Sequence, residues 1–137
     1  MNNILLDSDI LIDFLLQRKP FFDDSLNILS ECEKGKIKGY LTALAISNTH
    51  YIIRKHFSHQ LIMENFKKLL TFLDVVITDK NAVLASIDSD FNDFEDALQN
   101  FSAENYGTIS IIITRNIKDY KKSKLSVLTP EMFLKTL

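Results

Sequence analysis

The stretch NNILLDSDILIDFLL, residues 2–16, runs three apolar residues, Ile4, Leu5 and Leu6, straight into Asp7-Ser8-Asp9. A continuous apolar run without polar alternation reads as a short strand buried on both faces, as in a parallel sheet. Its expected span is 4–7. The periodicity then changes, and residues 10–16 read as helix with Asp9 as N-cap. Capping logic leaves Asp13 on a solvated face of that helix. Asp7 has no such ordinary role. A carboxylate ending a buried strand loses hydration and needs a partner or a metal. Asp7 is therefore the first functional candidate.

Strands and helices alternate along the rest of the chain. Lys19-Pro20 breaks the first helix. Asp23 or Asp24 caps a second, which shows Leu26, Ile28, Leu29 and Cys32 at roughly helical spacing, runs to Lys34 and stops at Gly35. Residues 39–42 read as strand, and 43–57 and 58–72 as helices. The latter places Leu61, Ile62, Phe66, Leu69 and Leu70 on one face. Residues 74–77 carry Val75, Val76 and Ile77 and read as strand. Helices are expected over 79–89 and 93–105, the second closing near Gly107. Residues 109–114 form the most apolar strand and are expected at the sheet centre. A short turn at 116–120, a strand at 125–128 and a helix capped by Thr129, with Pro130 in its first position, complete the chain. This alternation implies a parallel sheet covered on both faces. In such sheets ligands bind beyond the carboxyl ends of the strands. Asp7 and Asp9 then share an edge with Thr114, Arg115 and Asn116.

At 137 residues the chain is one domain by length, and 46% apolar residues suffice for a core. A net charge of −2 rules out a chain-wide basic nucleic-acid footprint but not a local one. The single cysteine, Cys32, precludes an internal disulfide, fits a reducing compartment and reads as a structural thiol. The start lacks a basic n-region, so no signal peptide is expected. No uncharged run approaches the ~18 residues of a membrane span. A cytoplasmic location without membrane contact is expected.

Three polar clusters compete for function. Asp7-Ser8-Asp9 is the first. The second is SDFNDFEDALQN, residues 89–100. There Asp93 is a natural N-cap, and Glu95 and Asp96 suit a helix N-terminus. Phe94, Ala97, Leu98 and Phe101 form the apolar set, and Asp96 borders it. Capping and a site role are equally weighted for Asp96. The third is IIITRNIKDYKK, residues 111–122, where Asn116 and Asp119 can share one face of a turn. Arg115, Lys118, Lys121, Lys122 and Lys124 lie beside it as a basic patch. Carboxylates beside basic residues suit a site for a metal and a phosphodiester. His50, His56 and His59 have no partner at zinc-ligand spacing and read as surface or interface residues. The polar run around Ser47, Asn48, Thr49 and Tyr51 is either a cap or a site wall. There is no phosphate-binding glycine loop and no nucleophile elbow.

Taken together, ILLDSDILIDFLL, DFEDALQ, IIITRNIKDY and the closing LSVLTPEMFL occur in an order that resembles the PIN-domain family, in particular the VapC-like ribonuclease toxins of bacterial toxin–antitoxin pairs. The resemblance covers nearly the whole chain. It implies a single three-layer α/β/α domain over 1–137 with a central parallel sheet of four to five strands. It also implies metal-dependent hydrolysis of RNA phosphodiester bonds, with Mg²⁺ or Mn²⁺ as cofactor. Carried over by position, Asp7 matches the first acidic ligand and Asp96 the acid opening the later helix. Asn116 stands where Asp is frequent, with Asp119 one helical step further on. Asp7, Asp96 and Asp119 are thus the expected metal ligands, and Asn116 joins them as a catalytic group. Ser8, Asp9, Asn48, Asp93 and Thr114 would support the site. Arg115, Lys121, Lys122 and Lys124 would hold the RNA backbone. Asn48 stands where the family usually carries a Glu. The implied partners are an RNA substrate, a cognate antitoxin and a second copy of the chain.

Two other functions stay open. A catalytically degenerate PIN domain would bind RNA or protein, with Asn48 and Asn116 as its support. A haloacid-dehalogenase-like phosphatase also opens with an apolar strand and Asp-x-Asp. Against it, Leu11 stands where Thr or Val is expected, and no later paired acid motif follows.

Overall fold

The computed structural model describes residues 2–137. Five parallel strands make one sheet in the order β3-β2-β1-β4-β5. They are β1 (Asn2–Leu6), β2 (Ile37–Thr42), β3 (Leu73–Val76), β4 (Ile111–Ile113) and β5 (Ser126–Leu128). The centre is β1. The residue 109–114 segment, expected there, lies one strand to the side as β4. Continuous apolarity marks burial on both faces, which any interior strand shares, so it does not rank the interior strands.

The connecting helices are α1 (Ser8–Leu15), α2 (Phe22–Glu33), α3 (Ala43–Ile53), α4 (His59–Leu69), α5 (Lys80–Ile87), α6 (Phe94–Tyr106) and α7 (Pro130–Leu134). A 3₁₀ turn, Ile117–Tyr120, links β4 to β5. Alternate residues of β1 feed two separate cores. Ile4 and Leu6 pack with Ile10, Leu11, Ile28 and Phe133, whereas Leu5 packs with Tyr40, Ala103, Ile112 and Tyr120. These cores lie on opposite faces of the pleat, so the sheet is covered on both sides. Among the described residues no helix is long and apolar enough to cross a membrane.

Local signals place most boundaries. Ser58, Asp79, Asp93 and Thr129 each accept a backbone N–H three residues ahead, as N-caps should. Gly107 ends α6 in the left-handed region, φ 93°. Other expectations are corrected. Asp9 does not cap α1; Asp7 does, because the helix starts at Ser8 with no intervening loop. Neither Asp23 nor Asp24 caps α2, which begins at Phe22, ahead of both, behind Phe21 with no side-chain cap. Asp13 is not solvated but fully buried, with zero exposure. Phe94, assigned to the apolar face of α6, is half exposed, and that helix buries Ala97, Gln99, Asn100, Ser102 and Ala103 instead. On α4 only Ile62 and Leu69 are buried, while Leu61 and Leu70 face outward. Leu26 of α2 is exposed as well.

Candidate active site: an acidic cavity at the carboxyl edge

Because α1 follows β1 directly, the Asp7 side chain sits at the end of the central strand and the head of a helix at once. Its Oδ1 accepts the Ser8 N–H at 2.7 Å and Gln99 Nε2 at 2.9 Å. Its Oδ2 accepts the Thr114 hydroxyl at 2.8 Å. Thr114 arrives from the adjacent strand end: the Asp7 N–H bonds Ile113 O at 2.9 Å, and this register sets the two residues side by side. With these neutral donors a buried carboxylate keeps its hydrogen bonds in the absence of water.

Asp7, Asp9, Asp93, Glu95, Asp96 and Asp119 line one cavity of about 210 Å³ together with Ser8, Asn48, Gln99 and Asn116. No lysine, arginine or histidine lines it. Burial and like charge act together on two of these acids. The Asp96 carboxyl is pushed up to about 7, first by burial and then by the charges of Asp7 and Asp93, with the Tyr120 hydroxyl opposing. Asp9 is also raised to about 7, by burial first and Asp7 second. Its Oδ2 accepts the Arg115 N–H at 2.9 Å, while Oδ1 is buried without a partner.

Three elements thus bring the expected acids together: the β1–α1 junction, the first turn of α6, and the 3₁₀ turn after β4. Asp93 is both N-cap and cavity wall, its Oδ1 accepting the Asp96 N–H at 3.0 Å. Asn48 also faces the cavity, where its amide donates to Ser8 Oγ at 2.9 Å. The polar start of α3 therefore divides: Asn48 is wall, while the cap is Thr42, whose Oγ1 accepts the Ala45 N–H at 3.0 Å. Ser47 and Tyr51 face outward.

The basic patch behaves differently. Lys121, Lys122 and Lys124 are exposed and line no part of the cavity. Arg115 turns away from it. The guanidinium holds buried Asp13, Nε to Oδ2 at 2.7 Å and Nη2 to Oδ1 at 3.2 Å, and stacks over the Phe21 ring at 3.9 Å. Asp13 in turn raises the Arg115 pKa. His50 and His59 meet edge to face with centroids 6.0 Å apart, away from the acids. Three polar residues at the site escaped the sequence reading: Gln99, Tyr120 and Thr42. Only Gln99 had a signal, standing three residues after Asp96 and so one turn along the same helix face.

The fit of a divalent cation depends on the donor set. Among the described residues no three His, Cys, Asp or Glu side chains stand close enough to enclose an ion. Mg²⁺, however, is ordinarily held by one or two carboxylates and completes its shell with water and substrate phosphate. Asp7 and Asp96 are linked through two buried side chains, Gln99 and Tyr120, and open on a cavity with oxygen donors and no basic lining residue. The residues fit that looser kind of site and do not fit a closed protein cage.

The fold and the site define a three-layer α/β/α domain with a carboxylate-lined cavity at the carboxyl edge of a five-stranded parallel sheet. The chain belongs to the PIN-domain family, whose model matches residues 3–118. Solved structures agree on the fold. A toxin–antitoxin complex from Klebsiella pneumoniae superposes with a TM-score of 0.69 at 18% identity, covering 93% of this chain and 97% of the other. VapBC2 from Rickettsia felis, solved on a promoter DNA fragment, gives 0.63 at 14% identity over 92% and 96%. VapBC-1 from nontypeable Haemophilus influenzae gives 0.67 at 13% identity over 94% and 98%. No curated protein sequence matches the chain.

Proposed function

We propose that this chain is a metal-dependent endoribonuclease and the toxin of a toxin–antitoxin pair, acting in the cytoplasm. The observation that carries the reading is the cavity itself: six carboxylates gathered at the ligand-binding edge of the sheet with no basic residue lining it. Partly buried acids crowded in a cleft, with ionisation perturbed by burial and by one another, mark functional sites. Asp7 and Asp96 would be the principal ligands of the ion, with Asp119 and Asn116, which line the same cavity, as ligand or water-positioning groups. Bound there, Mg²⁺ or Mn²⁺ supplies a nucleophilic water at neutral pH and offsets charge on the phosphate. The protein's own part is orientation. Thr114, the Ser8 N–H and Gln99 fix the Asp7 carboxylate, and the Tyr120 hydroxyl fixes Asp96. The exposed Lys121, Lys122 and Lys124, on the segment that follows Asp119, would hold the RNA backbone. Arg115 acts there through its backbone N–H on Asp9, since its side chain is engaged by Asp13.

The Asp7→Asn variant tests the reading. It should lose Mg²⁺- or Mn²⁺-dependent cleavage of single-stranded or loop RNA by several orders of magnitude. Cleavage at wild-type rate in that variant rules the assignment out. By kinship of fold, a small antitoxin protein and a second copy of this chain are the proposed partners. Co-expression with the product of a neighbouring short reading frame, followed by size-exclusion chromatography, examines both.

One observation favours a second reading. Asn48 contributes an amide to the cavity wall, and no three acids enclose an ion. A degenerate PIN domain binding RNA or protein without cleavage has the same features. Titration calorimetry with Mn²⁺ separates the two, because a degenerate site binds no metal at millimolar concentration. The phosphatase alternative falls with membership of the PIN-domain family.

A further inference from the structure

Gln99 and Tyr120 stand between Asp7 and Asp96, and neither belongs to the acidic set. Gln99 Nε2 donates to Asp7 Oδ1 at 2.9 Å and to the Tyr120 hydroxyl oxygen at 3.1 Å. That hydroxyl donates its one proton to Asp96 Oδ1 at 3.2 Å. Its approach to Asp7 Oδ2, at 3.5 Å, is too long to occupy the lone pair there. One side of Asp7 is therefore tied back by the relay while an Oδ2 lone pair stays free for the cavity.

The relay has a fixed direction. Thr42 Oγ1 accepts the Ala45 N–H, and its own proton goes to Gln99 Oε1 at 2.9 Å. This sets the Gln99 NH₂ towards Asp7; a flipped amide would press its oxygen against a carboxylate. All three side chains are buried, so water does not compete for these bonds. The Tyr120 ring is held in place by Phe91, edge to face at 6.3 Å. Two carboxylates carried by separate elements repel each other, and this one chain of donors connects them.

We propose that Gln99 and Tyr120 are positioning residues that hold Asp7 and Asp96 together as a two-carboxylate seat for one divalent cation, without touching the cation. The role rests on the metal-site reading of the cavity. The test is Mn²⁺ titration calorimetry on the full chain, comparing wild type with Tyr120→Phe and Gln99→Met. Asp7→Asn serves as the control that lacks a ligand. Phe keeps the ring against Phe91, Met keeps the volume of Gln, and thermal unfolding confirms that each variant is folded. Both variants should bind Mn²⁺ about 10- to 100-fold more weakly, the range typical of groups that orient metal ligands. RNA cleavage should recover at saturating Mn²⁺, so that the metal requirement moves and the maximal rate does not. Wild-type Mn²⁺ affinity in both variants overturns the positioning role and leaves the metal reading standing, provided Asp7→Asn has lost binding. A wild type that binds no Mn²⁺ at millimolar concentration overturns both.

Discussion

Asp9 and Asp96 are carboxyls that the fold keeps from ionising at ordinary acidity. Both are raised from 3.8 to about 7, with burial the first cause and the Asp7 charge the second. A raised acid binds its proton more tightly folded than unfolded. The stability it contributes is complete below pH 4 and is lost as pH rises through about 7. Asp9→Asn removes that loss while its side-chain oxygen still accepts the Arg115 N–H. In EDTA the variant should exceed wild type by on the order of 1–2 kcal/mol at pH 8, with a smaller gain at pH 5. Urea unfolding at the two pH values checks this, and an equal gain at both contradicts it. With Asp96 as the proposed ligand, the same titration would govern metal binding, since a cation would have to displace its proton. Mn²⁺ affinity should fall as pH drops below 7, by up to about tenfold per unit. Calorimetry between pH 6 and 8 reads the slope, and a flat profile sinks the assignment of Asp96 as ligand. None of this was legible in the chain. Asp7, Asp9 and Asp96 were recognisable as acids of interest, but their mutual approach depends on a contact 92 residues long, Gln99 to Asp7.

Among the elements, α1 and the β4 carboxyl end are locked together by a charge pair that the sequence hid. Asp13 looked solvated and Arg115 looked like an RNA contact, because nothing in either neighbourhood announces a partner 102 residues away. Removing Arg115 leaves a fully buried carboxylate unpaired. Arg115→Met should therefore cost about 3–5 kcal/mol, and Asp13→Leu added to it should recover most of the loss. Chemical denaturation of the single and double variants measures both; a double variant no better than the single excludes the pair as the cause. A tighter constraint sits in β2. A Cβ on Gly39 would lie 2.6 Å from Leu73 Cδ2 and 2.8 Å from Cys32 Sγ, at an ordinary backbone conformation. Gly39→Ala should destabilise by about 1–3 kcal/mol through overpacking. Paired with Cys32→Ala, part of that should return, as melting temperatures will show. Cys32 itself is inert in this setting, its thiol pushed up to about 12 by burial.

Across the whole molecule, charge is divided between an acidic cavity and an exposed basic run after β4. The net charge of −2 conceals this division. If Lys121, Lys122 and Lys124 each contact one phosphate, replacing all three by Ala should lower the slope of log K against log salt for single-stranded RNA by about 2. Fluorescence anisotropy with the Asp7→Asn protein avoids cleavage during the measurement. An unchanged slope assigns the RNA to another face.

The sequence by itself determined the order of strands and helices, the parallel sheet and the edge at which polar groups converge. Those features follow from hydrophobic period and from caps such as Asp93 and Thr129, which act over three or four residues. Only the tertiary structure decided which strand is central, that Asp7 rather than Asp9 caps α1, and that Asp13 is buried against Arg115. It alone brought Gln99 and Tyr120 between the two carboxylates. The Asp7 cap is a contact with the adjacent Ser8; the others depend on residues far apart in the chain that meet through strand register and helix packing, and local periodicity carries no record of such a meeting.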